Sequence, residues 1–185
     1  MAATGYNLNH SQVAAKGATP VYKDVNYATT LEPTIEQDSD TLNADGKKAV
    51  TAQGAPEGSG SVGFASIDLA TMAVMTGSVL SSSGTGASVI QRMVVPGNYS
   101  PPAVIWSSWI PNVDGNTTSA GLRVTIPNAK LTFPSGTFGQ EEWSEMTSDL
   151  SYVADETNQM MIWEDLATAP TFTAGVMPVN IAAPA

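Results

Sequence analysis

The chain of 185 residues contains no cysteine, which excludes disulfides, a thiolate nucleophile and sulfur-ligated metal, and removes any need for an oxidising compartment. It has a single histidine, His10, so histidine-dependent acid–base chemistry would have to centre on that one residue. Basic residues are scarce, seven against 17 acids, for a net charge of −10. A general affinity for nucleic acid is driven by Lys and Arg displacing counterions, and this balance argues against one. Charged residues of both signs make up only 13% of the chain, roughly half the share of about 25% in an ordinary soluble domain. No window approaches about 18 uninterrupted apolar residues, and the opening MAATGYNLNH lacks the basic and apolar regions of a signal peptide. A soluble, cytosolic chain without a membrane anchor is the expectation.

What is present favours β-structure. Sixteen Gly and 12 Pro, with 62 residues of Ala, Thr and Ser, suit short strands and frequent turns. The low charge suits a surface spent largely on neighbouring chains, although a neutral Ser/Thr-rich exterior gives the same count. At this length one core is expected, burying roughly 70% of the unfolded surface. The division expected is an N-terminal arm over 1–28, a β domain over 29–167 and a C-terminal arm over 168–185.

Residues 1–28 have weak periodicity and read as an extended arm or a flexible tail. From Ala28 to Gln37 apolar and β-branched residues lead into the acidic Glu36–Asp40 stretch, with Pro33 weakening the strand. Asp45-Gly46 is a two-residue hairpin signal, and Val50 to Gly54 read as the returning strand. A helix is predicted over about 67–76: Ser66 or Asp68 can cap it, Leu69, Met72 and Ala73 share a face, and Gly77 can end it. Ser81–Gly86 reads as a flexible loop. Strand candidates follow at Val89–Val95, Ala103–Trp109, Leu122–Ile126, Lys130–Phe133, Trp143–Val153 and Gln159–Trp163. A helix beginning at Glu141 competes with the strand there, and Asp155–Asn158 is a turn. Recurrent strands after a single helix argue for a mainly β fold, a sandwich or barrel, rather than a parallel α/β sheet. The last segment, with three prolines and the apolar Phe172, Val176, Val179 and Ile181, suits an arm laid on another surface or an edge strand.

No catalytic constellation emerges. His10 falls in the expected arm, where a solvated side chain is the reading. The acid pairs Asp38/Asp40, Glu141/Glu142 and Asp155/Glu156 fall in turns and loops, unlike two carboxylates held across a sugar. Asp38, Asp40, Asn43 and Asp45 place oxygen ligands at spacings that resemble a cation loop, but Gly46 and Lys47-Lys48 do not reproduce an EF-hand. The glycines lack the lysine of a phosphate-binding loop. No enzyme activity, metal or cofactor is therefore expected. Trp106 and Trp109, three apart in a strand, fall on opposite faces, one for the core and the other for an interface, or both for packing.

Taken in order, Asn43–Gly46 with its flanking strands, Gly58–Ile67, Asp68–Gly77, Arg123–Lys130, Gly139–Met146 and the Asp155 turn form an arrangement that resembles the major tail tube proteins of siphophages, the long non-contractile-tailed bacteriophages. The resemblance covers roughly residues 30–165 and lies in order and spacing. It implies a β-sandwich or barrel subunit with one flanking helix, assembled into six-membered rings that stack into a hollow tube within the virion tail. It also implies partners: copies of the same chain, the tape measure, tail terminator and tail-tip proteins, and DNA that crosses the lumen without specific binding. Six chains at −10 each carry about −60, which would limit adhesion of DNA during its passage into the host. The role in ring stacking implied for the long hairpin and terminal arms carries to Asp40, Leu42, Asp45, Lys47, Lys48 and Val50, and to Phe172, Val176, Val179 and Ile181. A capsid decoration or head–tail joining protein, or a carbohydrate-binding β-sandwich using the aromatics and acids, is the alternative.

Overall fold

The computed structural model describes residues 8, 10–25, 27–44, 47–111, 120–136 and 145–169, with backbone alone for 40–44 and 47–52. Twelve strands and one α-helix are found among them: β1 (His10–Ala15), β2 (Tyr22–Val25), β3 (Ala28–Glu36), β4 (Ser39–Ala44), β5 (Lys47–Gln53), β6 (Glu57–Phe64), α1 (Leu69–Thr76), β7 (Val79–Ser83), β8 (Ile90–Val94), β9 (Val104–Pro111), β10 (Gly121–Leu131), β11 (Met146–Tyr152) and β12 (Ile162–Leu166). The fold is mainly β and its strand pairings are antiparallel, as the turn-rich composition predicts.

The main sheet runs β2-β1-β9-β10-β11-β6-β3, and β12 joins it on β10. β10 divides its partners. Gly121–Thr125 pair with β12, whereas Ala129–Leu131 pair with β11. Between these halves the register with β9 shifts from Ile126 to Ala129. Pro127 falls inside the shift, where it has no N–H to give the ladder, so the strand can bend there and change neighbours. The sequence reads as two strands at this point, Leu122–Ile126 and Lys130–Phe133. The structure joins them into one strand with an irregular centre.

The larger core cluster lies on one face of this sheet, and a smaller one of Ala14, Tyr22 and Ile105 lies on the other. Val13, Val25, Val62, Phe64, Val104, Trp106, Ile126, Ala129, Leu131, Leu150 and Tyr152 pack in the larger cluster, and Met75 of α1 joins them. Phe64 and Trp106 meet edge to face with centroids 6.2 Å apart, a favoured aromatic geometry. Trp106 Nε1 donates to Ser108 Oγ at 2.8 Å, and that hydroxyl also meets Ser11 Oγ at 2.8 Å, so these three buried polar groups are partnered.

Residues 10–25, expected as part of an N-terminal arm, are instead built into the sheet. β1 lies between β2 and β9, Val13 and Ala14 are fully buried, and Val25 is in the core. The weak periodicity misleads because β1 is covered on both faces, so HSQVAA shows no alternation of polar and apolar residues.

α1 starts at the predicted cap. Asp68 accepts from the Thr71 amide at 2.8 Å, and Gly77 closes the helix at φ +65, a left-handed conformation glycine adopts without strain. The Thr71 hydroxyl lies 2.7 Å from Asp68 Oδ2 and 3.2 Å from the Asp24 carbonyl oxygen, which ties the helix to β2.

Candidate functional site

β3 and β6 pair from Ala28↔Phe64 to Glu36↔Glu57, and β4 and β5 continue the same ribbon from Ser39↔Gln53 to Ala44↔Lys47. The whole is one long hairpin. Its tip, Asp45-Gly46, lies outside the described residues, but the pairing of Ala44 with Lys47 leaves the two-residue connection that the sequence predicts. β11 accompanies β6 only as far as Tyr152↔Gly58. Beyond that point, among the described residues, β4 and β5 pair only with each other, over six to seven residues, about 20 Å of two-stranded ribbon.

The base of this ribbon is fastened by glycine. Gly58, Gly60 and Gly63 lie along β6, and the Tyr152 ring lies where a β-carbon on Gly58 would stand. This close approach lets the Tyr152 hydroxyl cross β6 and donate to the Thr34 carbonyl of β3 at 2.9 Å. Past Glu36 and Glu57, like charges facing one another, the ladder lapses. It is carried on by Gly54 N donating to Asp38 O at 2.8 Å and Gln37 Nε2 donating to Gly54 O at 3.0 Å. Pro33 sits on β3, an edge strand, where a missing N–H costs no ladder bond on the open side.

Of the residues singled out for contact between subunits, Asp40 and Leu42 are in β4, and Lys47, Lys48 and Val50 are in β5. Leu42 stands opposite Val50, Asp40 opposite Ala52, Lys48 opposite Asn43 and Lys47 opposite Ala44. The ribbon therefore gathers five of them, while Asp45, Phe172, Val176, Val179 and Ile181 lie outside the described residues. Of the residues with cation-loop spacing, Asp40 and Asn43 lie within strand β4, and Asp45 lies outside the described residues. Among the described residues no group of three or more His, Cys, Asp or Glu could hold a metal.

His10 is not the solvated arm residue expected. It is in β1 and half-buried, with Nε2 3.1 Å from Asp24 Oδ1, which also accepts from Gln12 Nε2 at 2.8 Å. These bonds join β1 to its edge neighbour β2. On the same face Arg123, 3% exposed, donates to Glu164 Oε2 from both Nη2 at 2.6 Å and Nε at 2.9 Å, a charge-assisted link between β10 and β12.

The shifted ionisable groups have structural causes. Burial pushes the Tyr22 hydroxyl up to about 12, and it raises Tyr99 and Tyr152 as well. For Asp68 burial also pushes upward, but hydrogen bonds from Thr71 and Ala70 outweigh it and the net direction is down. Asp155 follows the same pattern, held down by the amides of Gln159 and Thr157 and the Thr157 hydroxyl, which accords with its predicted turn.

Trp106 and Trp109 do fall on opposite faces; Trp106 is fully buried and Trp109 partly so. Trp163, on β12, is 53% exposed, and Trp143 lies outside the described residues. One surface escaped the sequence reading. Ser81–Ser83, read as loop, belong to β7, which pairs with β8 in a separate two-stranded ribbon. Its turn is held by Gly84 at φ +98 and Gly86 at φ +60, and those two glycines before Ile90–Val94 were the available signal. Among the described residues no helix is long and apolar enough to cross a membrane. Comparison of the chain with protein-family models and with curated proteins gives no match.

Proposed function

We propose that this chain is a structural subunit that assembles with copies of itself into stacked rings forming a hollow tube, as the major tail tube proteins of siphophages do. The observation that carries the reading is the long hairpin whose outer half, β4–β5, has no third strand among the described residues. A lone two-stranded ribbon is marginally stable in water. Contact with a neighbouring copy would add pairing or packing to this ribbon, in which Leu42 and Val50 hold opposite positions in the register.

Low charge and the excess of acids support the same reading. A surface with 13% charged residues opposes association weakly, and a net charge of −10 per chain would keep a lumen from adhering to DNA. The subunit would be made in the host cytoplasm and end in the virion tail. Trp106, buried in the core, has no face to offer a sugar, which weakens the carbohydrate-binding alternative.

Negative-stain microscopy of the concentrated protein is expected to show rings or tubes. A strictly monomeric species, even when nucleated with tail-tip components, would count against assembly. Binding to empty capsids without self-polymerisation would select the decoration or head–tail joining role instead.

A further inference from the structure

The long hairpin changes character at one short waist. Glu36↔Glu57 is the last pair of β3 with β6, and Ser39↔Gln53 is the first of β4 with β5. Two residues, Gln37 and Asp38, therefore stand against three, Gly54, Ala55 and Pro56. An extra residue in one strand of an antiparallel pair is a bulge, which breaks the ladder locally and bends the strand. Pro56 has no N–H to give the ladder, and Gly54 accepts backbone angles closed to other residues.

Little crosses this waist. Gly54 N donates to Asp38 O at 2.8 Å and Gln37 Nε2 donates to Gly54 O at 3.0 Å. Residues 35–39 and 53–57 are all exposed, so no side chain of the waist is anchored in a core. Glu36 and Glu57 stand opposite one another at its base, a like-charge pair that favours opening. Both sides of the waist are better held. Below it, Tyr152 of β11 reaches across β6 to the Thr34 carbonyl of β3, and above it the β4–β5 ladder runs on to Ala44↔Lys47.

We propose that the bulge at 37–38 and 54–56 is a hinge, on which the β4–β5 ribbon swings as one paired arm against the fixed sheet. No ladder bond to a third strand opposes the swing among the described residues. Six residues at about 3.3 Å each put the end of the arm roughly 20 Å from the pivot, so a swing of about 10° carries it about 3–4 Å. Because the bending is confined to the bulge, the register of Leu42 with Val50 survives it. The hinge belongs to the single chain. Its use rests on the assembly reading above, in which a neighbouring copy selects one orientation from those the free chain samples.

A chain without cysteine takes paired spin labels directly. Labels on Thr51→Cys with Ser151→Cys report the arm against the sheet, and labels on Lys23→Cys with Ser151→Cys report two strands of the main sheet. In the monomer the arm pair should give a distance distribution at least about twice as wide as the sheet pair. Equal widths would overturn the hinge. Labels on Asp40→Cys with Ala52→Cys, opposite in the register, should keep strong dipolar broadening; its loss would replace the hinge with a ribbon that comes apart. Deleting Ala55 in a Pro56→Thr protein sets two residues against two and restores an N–H, which should narrow the arm pair to the width of the sheet pair. Undiminished width in such a protein, melting as the wild type does, would also overturn the proposal; if it does not fold, the two measurements on the unaltered waist decide. In assemblies of labelled copies diluted with unlabelled chain, the arm pair should collapse to one distance. An arm as variable there as in the monomer would remove its role in docking and leave assembly standing, whereas a chain that forms no assemblies would remove the tube reading and leave the hinge to the monomer result.

Discussion

At the residue scale, a few contacts decide whether the long hairpin is fastened to the sheet. Tyr152 reaches Thr34 only because Gly58 has no side chain, so Gly58→Ala should force the ring aside and cost about 1–3 kcal/mol, measured by urea unfolding. The Tyr152→Phe control keeps the ring and loses only the hydrogen bond, and should cost about 1 kcal/mol. Asp68 predicts a pH dependence. Its folded pKa is lowered, so its contribution is complete above the unfolded value of about 3.9 and is lost as pH falls through the lower folded value. Asp68→Ala should therefore cost about 1 kcal/mol at neutral pH, and the gap from wild type should narrow in thermal melts as the pH is taken below the unfolded value.

At the scale of elements, legibility tracked local chemistry. The ends of α1 could be read because its cap and its stop each act within a turn, and Asp68 and Gly77 take the roles expected of them; its buried face could not, since Leu69, Met72 and Ala73 are only half-buried and the helix packs through Thr71, Met75 and Thr76. The Asp45-Gly46 hairpin was legible for the same reason. β1 was not, since its burial depends on β9, more than 90 positions away, and nothing local in HSQVAA records that partner. β7 was hidden by its three serines, a composition that a loop and an exposed strand share. Of the candidate contact residues, the sequence located the ribbon group but had no means of pairing Leu42 with Val50 across it. If that ribbon serves assembly alone, replacing 39–53 with a two-residue turn should leave the thermal transition of the monomer nearly unchanged while abolishing rings and tubes in micrographs. Loss of the folded monomer would instead make the ribbon part of the core.

For the whole molecule, the balance between apolar contact and like charge sets the conditions for association. Each copy brings −10, and the repulsion among copies extends over about 30 Å at 0.01 M salt but about 8 Å at 0.15 M. Self-association followed by light scattering should therefore strengthen as sodium chloride rises across that range. Weakening with salt would mean that ion pairs across the interface outweigh the general repulsion.

The place of β1 between β2 and β9 also sets a timetable for biosynthesis. Ser11 meets Ser108 across 97 positions, so on a ribosome adding about 5–20 residues per second the N-terminal strand waits roughly 5–20 s for its partner. During that interval Val13, Ala14 and Val25 have no sheet to enter, although the long hairpin closes through nearer contacts. The nascent chain is thus exposed to chaperones and to premature pairing mainly through its first strand, the segment whose sequence least resembles a strand at all.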